Sequence, residues 1–90
     1  MLTPVESSKF RKDVKRMKKR GKDMNKLKEL ITLLLNENPL PVWYQAHPLK
    51  GNWLSFWDAH IEPDWILIYL QQDDELLLAR TGTHADIFDS

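Results

Sequence analysis

Ninety residues without a cysteine allow one domain, residues 1–90, and exclude disulfide staples and thiolate chemistry. A chain this short buries only roughly 60 to 65% of its unfolded surface, so a shallow groove is a more natural site than an enclosed cavity. The formal charge is zero, but residues 1–28 hold eleven Lys/Arg against three Asp/Glu, and residues 29–90 hold two against ten.

That division calls for a partner of the basic part, either nucleic acid or an acidic protein; a solvated lysine-rich helix is the plainer alternative. The opening MLTPVESSKFRKD has no apolar run of signal length. The longest apolar run, Ile66 to Leu70, falls far short of the ~18 residues of a membrane span. A soluble, cytoplasmic protein with no membrane contact is expected.

Thr3 to Glu6 reads as an edge or opening strand. Ser7 or Ser8 can cap a helix from Lys9 to Arg20, in which Phe10, Val14 and Met17 form one narrow apolar stripe on a basic rod. Gly21 breaks it. Asp23 caps a second helix, Met24 to Asn36, with Met24, Leu27, Leu30, Ile31 and Leu34 at helical spacing. Asn38-Pro39-Leu40-Pro41 ends the helical part.

The rest is strand-like. Lys50-Gly51-Asn52 is a turn, Trp53 to Ile61 an aromatic-rich strand, and Glu62-Pro63-Asp64 a hairpin connection. Trp65 to Leu70 is a buried strand, and Glu75 to Thr81 another. Gly82-Thr83-His84 leaves the sheet for a short turn or helix at Ala85 to Phe88. The pattern predicts an α+β fold: an N-terminal helical hairpin packed on a small, mainly antiparallel sheet.

All three histidines, His47, His60 and His84, fall in the sheet half at strand ends or loops. Imidazole suits proton transfer near neutrality. A meander gathers His60, Asp64 and His84 at one edge, and Asp58 shares a strand face with His60. His47 needs the long loop to bring it there. Arg80 ends an otherwise apolar strand, where it either holds a phosphate or pairs with Asp58 or Asp64. Two histidines and an arginine suffice for RNA cleavage by the 2′-hydroxyl: a base, a cation for the phosphate, and an acid for the 5′-oxygen. A metal held by His60, Asp64 and His84 is the competing chemistry, although their spacing matches no ligand motif. Satisfied surface histidines are the bland alternative. Trp53 and Trp65 suit the core or the floor of the site, Trp43 a partly exposed loop. Trp57 and Phe88 are candidates to stack on a base.

Three ordered blocks carry a resemblance: H-P-L-x-G-x-W from His47, D-x-H-x-x-P-D-W from Asp58, and R-T-G-T-H from Arg80. With Lys19-Arg20-Gly21-Lys22-Asp23-Met24 before them, the chain resembles the YafQ branch of the RelE/ParE toxin superfamily over nearly its whole length. The resemblance implies a RelE-like fold and a type II toxin that cuts mRNA in the ribosomal A site, without cofactor or metal. It implies active-site roles for His47, Asp58, His60, Asp64, Trp65, Arg80, His84 and Phe88. His84 would be the general acid, and His60 and Asp64 the proton-handling or orienting pair. His47 would supply base or phosphate contact, Arg80 hold the phosphate, and Trp65 and Phe88 meet RNA. Lys50 and the helix lysines Lys15, Lys18 and Lys19 would meet RNA backbone, salt-dependently. The implied partners are a cognate antitoxin, the ribosome and mRNA, with the free toxin a monomer. Many relatives carry arginine where this chain has Trp57, which puts one phosphate contact in doubt. A non-catalytic ParE-like inhibitor of DNA gyrase is the alternative.

Overall fold

The computed structural model describes residues 1–88. In chain order the elements are β1 (Thr3–Glu6), α1 (Ser8–Lys19), α2 (Met24–Leu35), β2 (His47–Pro48), β3 (Trp57–Glu62), β4 (Trp65–Gln72), β5 (Glu75–Gly82) and α3 (His84–Phe88). Single 3₁₀ turns stand at Val42–Tyr44 and Gly51–Trp53. The strands form one sheet in the order β1-β5-β4-β3-β2; β1 runs parallel to β5 and all other pairs are antiparallel.

Local chemistry sets the helix ends. Ser7 caps α1: its Oγ accepts from Phe10 N at 2.9 Å and donates to Ala79 O at 2.7 Å. One hydroxyl thus starts the helix and ties it to β5. Gly21, at φ +84°, closes α1 as Gly21 N bonds Lys18 O and Lys22 N bonds Met17 O. That paired arrangement satisfies the last carbonyls and favours glycine at the left-handed position. Asp23 caps α2 by accepting from Asn25 N at 2.9 Å.

The sheet is covered on both sides. On the helix face, Phe10, Met17, Leu27 and Leu30 pack on Ala59, Trp65, Leu67, Tyr69, Leu76 and Leu78. On the other face, Ile66, Ile68 and Ala79 pack beneath Ile87, with Leu49, Trp53 and Phe56 beside them. Central strand β4 is therefore buried on both faces, which explains its unbroken apolar run. Ala79 of β5 is an extra, unpaired residue that bulges opposite the Ile68–Tyr69 step of β4.

One sequence expectation needs correction. Trp53 to Ile61 is not a continuous strand, because β3 begins at Trp57. Gly51 and Ser55 take left-handed φ values of 66° and 80°, and Phe56 N bonds back to Trp53 O at 2.9 Å. The fold-back sets Trp53 and Phe56 edge to face at 5.3 Å over the second core.

Candidate active site

Strand register builds the site. His47 pairs with Asp58, Asp58 with Ile68, and Ile68 with Arg80, so the four form one row across β2, β3, β4 and β5. His60, Ile66 and Gly82 form the next row. Paired residues share a face, and both rows lie on the face away from α2. α3 then leaves β5 and carries His84 and Phe88 over it.

The four rings follow one another in series. His47 and His60 centroids are 6.2 Å apart, His60 and His84 5.5 Å, and His84 and Phe88 6.2 Å. His84 Nδ1 meets Asp64 Oδ1 at 2.7 Å, and the same oxygen accepts His84 N at 3.0 Å. Those two bonds hold the Asp64 carboxyl below its ordinary range, the backbone N–H contributing most. His47 Nδ1 lies 3.0 Å from Gln45 O. Gln45 holds a left-handed conformation, φ 49°, uncommon for a residue with a Cβ, and in it the carbonyl meets the imidazole. With both Nδ1 atoms engaged by acceptors, Nε2 of His47 and of His84 remains for exchange with a substrate.

Asp58 sits beneath this line. Burial pushes its carboxyl up, while His47, His60 and His84 pull it down in that order. His47 Nδ1 approaches Asp58 Oδ1 to 3.1 Å without hydrogen-bond alignment, which leaves that buried oxygen unpaired. Among the described residues, the buried side-chain atoms lacking a partner are Asp58 Oδ1, His60 Nδ1 and Arg16 Nε. Each such atom costs about 1–3 kcal/mol. Two of the three belong to this site, and the third borders the cleft beside it. The rings face one another instead of converging, and no three His, Asp or Glu groups among the described residues are placed to hold a metal ion.

Arg80 takes its partner from the helical half of the chain. It is paired not with Asp58 or Asp64 but with Asp13 of α1: Nε to Oδ2 at 2.7 Å and Nη2 to Oδ1 at 3.2 Å. Asp13, buried in the basic helix, also accepts Thr81 N at 3.1 Å and Arg16 Nη2 at 2.6 Å. The sequence signal was available: Asp13 continues the inward stripe of Phe10 and Met17, an odd place for a lone acid. Arg80 lines a cleft of about 510 Å³ with Lys9, Lys12, Arg16 and Trp53.

Two expected RNA contacts change. Trp65 is fully buried, and its Nε1 donates to Thr81 Oγ1 at 2.9 Å, so it supports the sheet and presents no face to a base. Trp57 pairs with Tyr69 on the helix face, beside Leu34, Leu40 and Ala46, and so cannot replace a phosphate contact in the groove. Lys15, Lys18 and Lys19 are exposed, but the lysines of α1 that border the site-side cleft are Lys9 and Lys12. Lys18 lines the groove between α1 and α2 instead. Lys50 is exposed on the turn after β2, and Phe88 is exposed at the end of the ring line.

α3 is held from behind. Asp86 accepts Arg20 Nη1 and Nη2 at 2.6 and 3.0 Å, and accepts Thr83 N at 3.0 Å while Thr83 Oγ1 accepts Asp86 N at 3.1 Å. The reciprocal pair with Thr83 is a capping box. The Arg20 guanidinium holds the Asp86 carboxyl far below the ordinary 3.8. A depressed folded-state value adds stability above the unfolded value and loses it as pH falls. Asp86→Asn is therefore expected to melt below wild type at neutral pH, with the gap narrowing steadily as the pH falls from about 5 towards about 2. Thermal melts across that range check it.

Comparison with known proteins places the chain in a family. The family model described as the bacterial toxin of type II toxin–antitoxin system, YafQ, matches residues 2–89. The mRNA interferase toxin YafQ of Escherichia coli K12 is 58% identical over 83 residues, 91% of this chain and 90% of that protein. In the crystal structure of the E. coli DinJ–YafQ complex, a chain 54% identical superposes with a TM-score of 0.91, covering 98% of this chain and 99% of that one. A metal-bound toxin from Helicobacter pylori, 39% identical, superposes with a TM-score of 0.92 over 98% of this chain and 100% of its own.

Proposed function

Because the chain belongs to the YafQ family of type II toxin–antitoxin toxins, we propose that it is an mRNA interferase. It is an endoribonuclease that cuts mRNA in the ribosomal A site by attack of the 2′-hydroxyl on the adjacent phosphate. The observation that carries this reading is the line of three histidines at the edge of the sheet face away from α2, with Asp64 bonded to His84 at 2.7 Å.

The chemistry divides among the groups present. His84, oriented by Asp64, protonates the leaving 5′-oxygen. His47, oriented by Gln45 O, takes the 2′-hydroxyl proton, and His60 between them handles protons with Asp58 beneath. Arg80, held by Asp13, offers Nη1 to the phosphate charge, which is the largest electrostatic demand of the step. Phe88 contacts a base. Lys50 and the lysines of α1 meet RNA backbone, giving salt-dependent affinity. A cognate antitoxin, as DinJ is for the E. coli relative, is the partner that restrains the toxin in the cytoplasm. In this scheme protein side chains supply the base, the acid and the cation.

Asp64→Asn keeps the shape but loses the charge behind His84. It should lower cleavage by at least about tenfold and up to about 10⁴-fold, the loss seen when the carboxylate orienting an acid–base imidazole becomes an amide. Rates on programmed ribosomes check it.

Inducible expression in bacteria with 5′-end mapping of mRNA tests the whole reading. Wild type should arrest growth and produce cuts in phase with codons. Intact mRNA accompanied by DNA damage would replace the ribonuclease with the gyrase inhibitor.

A further inference from the structure

We propose that Trp43 is a stacking platform for a nucleobase of the RNA strand next to the scissile position. This rests on the RNA-cleaving reading above and extends it to a second subsite.

Trp43 is 69% exposed, whereas Trp65 is fully buried. The chain holds Trp43 there deliberately. The 3₁₀ turn Val42–Tyr44 is closed by Tyr44 N to Pro41 O at 3.2 Å and Gln45 N to Val42 O at 3.0 Å. Tyr44 is sunk into the core at 5% exposure, so the turn is anchored while Trp43 points out. Gln45, the left-handed residue that ends this turn, is the one whose carbonyl holds His47 Nδ1 at 3.0 Å. The platform and a candidate catalytic ring are thus fixed by a single residue.

Beside Trp43 lies a hollow of about 280 Å³, lined also by Gln45, His60, Ile61, Glu62 and Pro63. His60 is a wall shared with the histidine line. Glu62, the acid in this lining, is held by Lys22 at 2.8 Å and Lys26 at 2.9 Å, which offsets its repulsion of RNA. A flat aromatic group with polar edges suits such a hollow: indole offers a π-face, and the Gln45 amide offers both a donor and an acceptor. Stacking on an aromatic tolerates any base, so the subsite adds affinity more than sequence choice.

Ribosome-programmed mRNA cleavage tests this. Trp43→Ala should raise KM about tenfold to hundredfold with kcat within about twofold, and Trp43→Phe should stay within about threefold of wild type. An abasic nucleotide flanking the cut, given to wild-type protein, should raise KM to a similar degree and add little to Trp43→Ala. That arm holds even if the alanine variant folds poorly. If wild type cleaves mRNA but neither change moves KM, the stacking subsite is wrong while the ribonuclease stands. If wild type cleaves nothing, the ribonuclease reading fails, and the subsite with it. Unchanged cleavage by Trp43→Ala with lost antitoxin binding would make Trp43 a protein contact and overturn the proposal.

Discussion

His84→Ala should cut mRNA about 10²–10⁴-fold more slowly than wild type, the range that a positioned general acid supplies. The loss should lie in kcat, because the proton reaches the 5′-oxygen only as the bond breaks. The fold should survive. The His84 side chain is nearly half exposed, and the backbone N–H of residue 84 still donates to Asp64 when the imidazole is gone. Melting within a few degrees of wild type, alongside silent ribosomes, separates a chemical loss from an unfolded protein. A variant that both folds and cuts at the wild-type rate would remove His84 from the chemistry.

Asp13→Ala should produce a large loss of stability. Asp13 is buried and accepts from Arg80, Arg16 and Thr81 N at once. Its removal leaves a partly buried guanidinium and a buried amide without partners. Breaking a buried ion pair from one side costs about 3–5 kcal/mol, a large part of the roughly 5–15 kcal/mol that keeps a small domain folded. A fall in Tm of at least about 12 °C follows for a chain of this size. Replacing Arg80 with methionine in the same chain should recover part of it, since the uncompensated charge is then gone. Urea titrations of the two single variants and the double variant close the cycle. Equal losses in the single and double variants would mean that Asp13 acts through α1 packing instead.

The contrast between those two residues shows what the sequence made legible. His60, Asp64 and His84 could be gathered at one edge because short connections between consecutive strands leave little choice of topology. His47 could not be placed, since β2 is two residues long and one of them is proline, too little for a periodic signal. Its position comes from pairing with Asp58 and from the left-handed Gln45. Asp13 and Arg80 lie 67 positions apart, and no local rule joins them. Trp65 begins a strand buried on both faces, where the two-residue period that would reveal its direction disappears. Trp57 is different: it is adjacent to Asp58, so placing Asp58 and His60 in the groove already put Trp57 on the other side. The helix spans were legible to within a residue or two, because Ser7, Gly21 and Asp23 are strong terminal signals.

The histidine line as the engine of 2′-hydroxyl attack is tested most directly by the ends that cutting leaves. Single-turnover cleavage of a defined mRNA on purified ribosomes, with the termini identified by mass spectrometry, gives the answer. If His47 and His84 act as base and acid, the upstream fragment ends in a 2′,3′-cyclic phosphate or the 3′-phosphate derived from it, and the downstream fragment begins with a 5′-hydroxyl. A 3′-hydroxyl opposite a 5′-phosphate would show that water, not the 2′-hydroxyl, attacks, and would contradict the account.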